Sequence, residues 1–319
     1  MKKTLVLALL AAVAAGPAAA QNWPTQAVNI IVGFGPSSTP DLVSRVMAEH
    51  LRKKLDQPFV VHNRPGAGGN IGLEAVAKSA PDGYTIGTTI PGPLLVNPIT
   101  MKMSIDPSKD IKPVTILATQ PSVLVVSAKL GVNNLQELIA LLKKNPGKYN
   151  YSSIGIGSIS HLSMVLVEQQ SGTEIQHIPY KSSPEAVAAV IAGETHMATL
   201  APNAVTGHAE SGTIKMIAVS TPKRWPALPD VPTFAEQGVE GVQAEAWMAM
   251  VAPAGTPDAI IEKHYQEVKA GLESAEVKEQ MKKFGFEPVG ITPAEFKKRL
   301  EEDGKRWAKV VDGAGLRAK

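Results

Sequence analysis

The chain alternates short apolar runs with longer segments in which apolar residues recur every three or four positions. Strands are predicted at residues 28–32, 59–61, 85–89, 123–127, 149–153, 197–200, 215–220 and 246–252. Helices are predicted at residues 40–55, 71–79, 135–144, 159–170, 184–192, 257–273, 275–284 and 293–311. Strands that alternate with helices predict an α/β fold, with mostly parallel sheets flanked by helices.

The length of the chain, 319 residues, predicts two domains. No low-complexity linker separates two halves, so we expect the chain to cross between the domains through extended segments near Gln120 and Trp247. We therefore assign residues 22–120 and 250–319 to domain 1 and residues 121–249 to domain 2. The C-terminal helices would then return to domain 1.

The N-terminus has the pattern of a secretory signal peptide. Residues 1–3 are basic at two positions, residues 4–15 form an apolar run, and small residues end it at Ala18–Ala20. The apolar run is too short to span a bilayer, and cleavage after Ala20 is expected. The chain has no cysteine, so it can carry neither a disulfide nor a lipid on cysteine. These features predict a free protein of the periplasm.

Composition argues against several kinds of partner. The chain carries 32 basic and 29 acidic residues, a balance that gives no reason to expect nucleic-acid binding. Its seven histidines show no paired ligand spacing, and no thiolate is available, so we expect no bound metal. No motif predicts a cofactor.

A first candidate loop, "GFGPSSTPDLVSRV" at residues 33–46, joins the first predicted strand to the first predicted helix. Thr39 suits the N-cap, Pro40 the first helical position and Asp41 the positive end of the helix dipole. Capping alone explains much of this pattern. Ligands of α/β proteins, however, bind beyond the carboxyl ends of strands, and helix N-termini attract anions. The hydroxyls of Ser37 and Ser38 therefore make this loop a candidate ligand site.

A second candidate loop, "NRPGAGGNIG" at residues 63–72, contains four glycines and leads into a helix that Asn70 could cap. Its backbone N–H groups could form an anion-binding nest, or its glycines could serve only a tight turn that needs positive φ. It matches neither the dinucleotide fingerprint nor the Walker loop. Both interpretations stay open.

A third candidate loop, "YSSIGIGSISHL" at residues 151–162, again follows a strand and begins a helix, with Ser158 as the predicted N-cap. A hydrolase that uses Ser158 and His161 is the enzyme alternative. No acidic residue nearby orients the histidine and no Gly-x-Ser-x-Gly elbow is present, so a structural histidine is favoured over a general base.

Several motifs occur together in a fixed order along the chain. After the signal peptide come "WPTQAVNIIVGFGP", Asp41, "NRPGAGGNIG", "APDGYTIG", "YSSIGIGSISHL", "IPYKSS", "RWPALPDVPTFAEQGV", "VAPAGTP" and the closing "RWAKVV". This ordered set resembles the substrate-binding proteins of tripartite tricarboxylate transporters, also called the Bordetella uptake gene (Bug) family. The resemblance covers essentially the whole chain beyond residue 20.

The resemblance implies a two-domain periplasmic-binding-protein fold, type II-like, with a ligand cleft between the domains. It implies a monomer that is not an enzyme, captures a small mono- or dicarboxylate, aliphatic or aromatic, and delivers it to transmembrane permease subunits. A ligand-binding receptor for a membrane sensor is the alternative that differs only in partner.

The resemblance also implies where the ligand binds. In such proteins the first loop faces the third, and their amides and hydroxyls clasp the ligand. The candidate ligand-binding residues are Phe34, Ser37, Ser38, Thr39, Asp41, Ala67, Thr89, Gly157, Ser158 and His161.

The sequence departs from the family pattern at the first loop. Relatives usually read Pro-Gly-Gly-x-x-Asp there, whereas this chain has Ser37 and Ser38 in place of the two glycines. Backbone approach to the ligand is then less free, and two hydroxyls enter instead. Leu200 stands where many relatives carry a polar or acidic residue, which argues against amino-acid ligands because an ammonium group would lose a partner.

Overall fold

The structure, a computed structural model, describes residues 23–318, so the predicted signal peptide and its cleavage site lie outside the described residues. Its strands are β1 (Val28–Val32), β2 (Phe59–Asn63), β3 (Thr85–Thr89), β4 (Ile111–Gln120), β5 (Val123–Ser127), β6 (Asn150–Ser153), β7 (Gln176–Pro179), β8 (Met197–Leu200), β9 (Ile214–Val219), β10 (Ala246–Pro253) and β11 (Glu287–Pro288).

Its α-helices are α1 (Thr39–Leu55), α2 (Asn70–Ala77), α3 (Asn97–Thr100), α4 (Pro107–Asp110), α5 (Leu135–Lys144), α6 (Ile159–Ser171), α7 (Ser183–Ala192), α8 (Pro202–Glu210), α9 (Asp258–Glu273), α10 (Ala275–Lys283) and α11 (Pro293–Gly313). Single-turn helical segments lie at Ala67–Gly69, Gly92–Val96, Ala128–Leu130 and Ala235–Gln237.

The strands form two sheets. The first sheet has six strands in the order β11-β4-β10-β3-β1-β2, and the second has five in the order β7-β6-β8-β5-β9. The predicted α/β class is confirmed. The sheets are mixed rather than mostly parallel, however: β1, β2 and β3 run parallel, as do β6, β7 and β8, whereas β10, β4 and β11 pair antiparallel, and so do β5 and its neighbours.

The antiparallel pairs follow from the path of the chain between the sheets. β4 carries the chain out of the first sheet, and only Pro121 and Ser122 separate it from β5 in the second. β10 brings the chain back and pairs with β4, so the two adjacent strands run in opposite directions. The predicted crossings near Gln120 and Trp247 lie at this pair. The exact domain limits remain a prediction.

Helices cover both faces of each sheet. On the first sheet, α1, α9 and α10 pack on one face around Met47 and Val268, and α2 packs on the other face. On the second sheet, α5 and α6 pack around Leu138 and Leu162, and α7 and α8 cover the opposite face. Burial of both faces fits the apolar runs of β5 and β10.

Helix α11 contacts both sheets. Near its start, Phe296 packs edge to face on Trp247 of the first sheet, with ring centroids 5.5 Å apart. Near its end, Trp307, Val310 and Val311 join the buried cluster around Leu162 of the second sheet. One helix therefore ties the two sheets together.

Most predicted elements are confirmed to within two residues. Strand β4, strand β7, helix α8, the short β11 and the helical turns of residues 92–110 were missed by the sequence analysis. β4 contains Lys112 and Pro113, and Pro113 lies beside a register shift against β10, where a proline can be accommodated without a ladder hydrogen bond. β7 is a mostly exposed edge strand and has no apolar run to predict it.

Candidate functional site

Asp41 fixes the shape of the first candidate loop. Its carboxylate is 1% exposed and accepts four hydrogen bonds: from the Ser37 amide at 2.9 Å, from Arg45 Nε and Nη2 at 3.0 Å each, and from Asn63 Nδ2 at 2.8 Å. Asn63 Nδ2 also donates to the Phe34 carbonyl at 2.9 Å. Burial favours a raised pKa for Asp41, but the hydrogen bonds from Arg45, Asn63 and Ser37 outweigh it and lower the pKa. Asp41 therefore stays ionised and holds the loop in place.

The helix after this loop begins one residue earlier than predicted. The Ser38 carbonyl accepts the Leu42 amide at 2.9 Å, which makes Ser38 the N-cap and Thr39 the first residue of α1, so the N-cap prediction for Thr39 was wrong. The Ser38 side chain makes no capping hydrogen bond, and its Oγ is buried without a partner. Ser37 is exposed and has φ 62°, a left-handed conformation that favours glycine.

The glycine-rich second loop packs directly against the first. A Cβ on Gly33 would lie 2.5 Å from the Gly69 carbonyl oxygen, and one on Gly69 would lie 2.6 Å from the Phe34 ring. Gly69, at φ 98°, is the N-cap of α2, so the predicted cap Asn70 is instead the first helical residue. The Oδ1 atom of Asn70 accepts a hydrogen bond from Asn97 Nδ2 at 2.6 Å. Close approach and positive φ thus account for the glycines.

Two further candidates lie at the margins of this region. Ala67 is exposed at φ 46° in the glycine-rich loop. Thr89 is buried at the end of β3, and the neighbouring Thr88 pairs with Val32, at the end of β1 where the first loop begins. The two strand ends therefore lie side by side, as a site at the carboxyl edge of a sheet requires.

Ser158 is the N-cap of α6, as predicted. Its Oγ accepts from the His161 amide at 3.2 Å and donates to the Gly155 carbonyl at 2.7 Å. His161 is 4% exposed, and its Nδ1 accepts from the Gly157 amide at 3.0 Å. Both side chains are therefore engaged by the loop backbone, and no hydrogen bond joins the hydroxyl to the imidazole within residues 23–318. Burial, and next the neighbouring His177, lower the pKa of His161 to about 4.

The first and third loops border the same helical turns, at residues 92–100. Pro93 lies against Gly69 and so beside Phe34, and a Cβ on Gly157 would lie 3.5 Å from Val96 Cγ1 and 3.8 Å from Thr100 Oγ1. Phe34 and Gly157 therefore both lie close to this one short helical segment.

Each of the two helix N-termini keeps backbone donors free. Within residues 23–318, the amides of Thr39 and Asp41 in α1 and of Ile159 and Ser160 in α6 form no hydrogen bond. The hydroxyls of Ser38, Thr88 and Ser160 are also buried without a partner. Free amides at helix N-termini, together with the helix dipoles, are suited to an anion.

Several supporting residues were missed by the sequence analysis. Arg45, Asn63 and Ser153 lie near the ends of the candidate loops, Asn97 and His177 lie outside them, and none of the five was predicted as a site residue. The sequence held two local signals: Arg45 lies four residues after Asp41, and Asn63 and Ser153 end strands β2 and β6. No group of three or more His, Asp or Glu side chains in residues 23–318 is placed to hold a metal ion. In the same residues, no helix combines the length and apolar character needed to cross a membrane.

The two sheets with paired crossing strands define a two-domain α/β binding protein, and solved structures share this architecture. The chain belongs to the tripartite tricarboxylate transporter family receptor (TctC) family, whose model matches residues 43–316. Protein BugT of Bordetella pertussis is 35% identical over 311 residues, covering 96% of this chain and 94% of that protein.

Two solved relatives carry named ligands. A structure from R. palustris with adipate is 35% identical, has a TM-score of 0.84 and covers 92% of this chain and 99% of its own. MatC from Rhodopseudomonas palustris with bound malate is 27% identical, has a TM-score of 0.79 and covers 91% of this chain and 100% of its own.

Proposed function

We propose that this protein is a periplasmic solute-binding protein that captures a small organic carboxylate by domain closure and delivers it to the membrane subunits of a tripartite tricarboxylate-type transporter. The observation that carries this proposal is membership of the TctC family together with the adipate-bound relative at 35% identity. The signal-peptide pattern of residues 1–20 supports export to the periplasm.

The geometry of the loops supports an anionic ligand held by neutral donors. Four free amides, two on each of α1 and α6, and the hydroxyl of Ser38 lie at the candidate site. Hydrogen bonds to a charged group contribute about 1.5–3 kcal/mol each, and micromolar affinity needs about 8 kcal/mol in total. Four to six such bonds therefore suffice after ordering costs, without a cationic side chain.

A ligand screen tests the proposal directly. Adipate, malate and benzoate are added to the purified protein, and melting temperature and calorimetric binding are measured. At least one carboxylate should raise the melting temperature, since a ligand at 100 times its Kd stabilises by about 2.7 kcal/mol. Adipamide, which has the shape of adipate without its charge, is the matched control and should bind at least tenfold more weakly. Absence of binding by every carboxylate would overturn the proposal.

The first loop can be tested with a double variant. Ser37→Ala with Ser38→Ala should weaken carboxylate binding at least tenfold, because two hydroxyl donors beside the α1 N-terminus are removed. Ser79→Ala, which lies beyond the C-terminal end of α2 and away from the candidate loops, is the control and should bind normally. Unchanged affinity of the double variant in titration calorimetry would refute this use of the loop.

Two alternatives make different predictions. A hydrolase using Ser158 and His161 would turn over a simple ester and lose that activity in Ser158→Ala. The hydrogen bonds that occupy both side chains argue against it. A receptor for a membrane sensor would bind the same ligand but would co-purify with a sensor domain rather than with permease subunits.

A further inference from the structure

Three aromatic rings form a stack beneath the third candidate loop. His161 of α6 lies on His177 of β7 with ring centroids 4.0 Å apart and an interplanar angle of 13°. His177 in turn lies on Tyr151 of β6, at 4.9 Å and 20°. The rings belong to three different elements, and His161 and Tyr151 are almost fully buried. The stack is therefore a built feature of the second sheet and α6.

Both imidazoles hydrogen-bond to the loop residues 153–157. His161 Nδ1 accepts from the Gly157 amide at 3.0 Å, and His177 Nε2 lies 2.6 Å from Ser153 Oγ. Ser153 Oγ also accepts from the Gly155 amide at 3.1 Å. Two points of the loop are thus held from the side of the core. Because Nδ1 of His161 accepts a hydrogen bond, the neutral ring carries its proton on Nε2.

Few other ionisable groups face the pair. Tyr151 belongs to the stack, and Glu168 lies two turns along α6, where its charge acts on Tyr151. Burial raises the pKa of Glu168 to about 7. The hydrogen bond that its carboxylate accepts from the Ile175 amide opposes this shift, and the charge of Glu174 adds to it. Within the described residues, no hydrogen bond joins either imidazole to a charged side chain. A proton added to the pair would therefore find no close counter-ion.

We propose that His161 and His177 are positioning residues that hold the third loop in its binding conformation, and that protonation of the pair releases the loop and weakens ligand binding. A proton on Nδ1 of His161 would face the Gly157 amide proton, so the loop would lose its acceptor. A charge on either ring would also act on the other at 4.0 Å. This inference rests on the proposed function, which it extends to the pH dependence of the same site.

The expected loss of loop contacts at low pH agrees with the environment of the two histidine rings. Burial lowers the pKa of both histidines, and that of His161 falls to about 4. Both rings are therefore neutral at pH 7, and the loop is held. Release begins as the pH falls below the ordinary range of histidine and grows toward pH 4.

Two substitutions at His161 test separately the hydrogen-bond acceptor Nδ1 and the stacked ring. The Oδ1 atom of asparagine is as many bonds from Cα as Nδ1, so His161→Asn keeps an acceptor for Gly157 but cannot be protonated there. His161→Phe keeps the stacked ring and loses the acceptor. His177→Phe tests the second contact, and melting curves establish that each variant is folded.

The first readout needs no ligand. The amide signals of Gly155 and Gly157 are followed by ¹H–¹⁵N NMR from pH 7 to pH 4. We expect both signals to shift or broaden in the wild type. In His161→Asn the Gly157 signal should stay nearly constant, whereas the Gly155 signal should still respond through Ser153 and His177. In His161→Phe the Gly157 signal should be displaced already at pH 7. A Gly157 signal that behaves alike in the wild type and His161→Asn would overturn the proposal.

The second readout is the affinity for adipate over the same pH range. At pH 7, His161→Phe should bind adipate about tenfold more weakly than His161→Asn, as expected for one lost hydrogen bond. Toward pH 4 the wild type should lose affinity more steeply than His161→Asn. Protonation of adipate itself weakens binding equally in the wild type and the variants. The difference between their pH profiles therefore measures the effect of the loop. Parallel pH profiles would refute the proposal.

The two readouts keep the two hypotheses apart. If no carboxylate binds at any pH while the glycine signals respond as described, the proposed function fails and the positioning role of the histidines stands. If adipate binds with the same pH profile in all variants and the glycine signals do not respond, the proposed function stands and the positioning role fails.

Discussion

At the scale of single residues, the sequence made Asp41 a candidate site residue but did not reveal which contacts it makes. The structure shows its carboxylate engaged by Ser37, Arg45 and Asn63, which lie before it, one turn after it and on β2. A loop-to-strand contact of this kind depends on the parallel pairing of β1 with β2. The order of residues along the chain does not reveal this contact between Asp41 and β2. The sequence therefore predicted only that Asp41 interacts with the helix dipole and with the ligand.

Asp41→Asn tests this network. The substitution removes the charge that two guanidinium hydrogen bonds neutralise, and Arg45 is half exposed, so we expect a loss of about 1–3 kcal/mol in urea denaturation at pH 7. Glu49→Gln, which removes an exposed ion pair of the same helix, should have a much smaller effect. Equal effects of the two substitutions would contradict the role assigned to Asp41.

The network also predicts a pH dependence. Hydrogen bonds overcome the effect of burial and lower the pKa of Asp41 below its unfolded value of 3.8, so its stabilising contribution is complete above that pH. It is lost as the pH falls through the lower, folded-state pKa. The stability difference between the wild type and Asp41→Asn should therefore be constant from pH 5 to pH 7 and shrink below about pH 4.

At the scale of elements, the sequence predicted strands best where both faces of a sheet are buried. β1, β3, β5 and β8 are short runs rich in apolar or β-branched residues, and their predicted limits are confirmed. β4 was missed although it lies in the sheet interior, because Lys112, Pro113 and Thr115 interrupt its apolar run. Only its pairing with β10 on one side and β11 on the other makes it a strand, and pairing is not local information.

The contact between the first two loops yields a prediction about elements. A Cβ on Gly33 would lie 2.5 Å from the Gly69 carbonyl oxygen, so Gly33→Ala should push the glycine-rich loop away and cost about 1–3 kcal/mol. Gly35→Ala is the control, since nothing lies within 4 Å of its Cβ position. Urea denaturation should place it within about 0.5 kcal/mol of the wild type. A neutral Gly33→Ala would show that the loops do not rely on this contact.

At the scale of the whole molecule, α11 decides how the two sheets are coupled. The sequence predicted this helix, and its limits are confirmed to within two residues; Thr292 and Glu295 form a capping box at its start. It placed the helix with the first domain only, because an amphipathic pattern does not say which surfaces the apolar face covers. The structure shows Phe296 against the first sheet and Trp307 against the second.

Because a single helix contributes to both cores, we expect the protein to unfold in one cooperative calorimetric transition. Phe296→Ala and Trp307→Ala each remove a fully buried aromatic ring from one core, so each should cost about 3–5 kcal/mol and lower the same transition. Two resolved transitions, of which only one responds to Trp307→Ala, would show that the cores unfold independently. In that case α11 would be loosely attached to the second sheet. A single transition would instead imply that the proposed domain closure moves the end of α11 together with the second sheet.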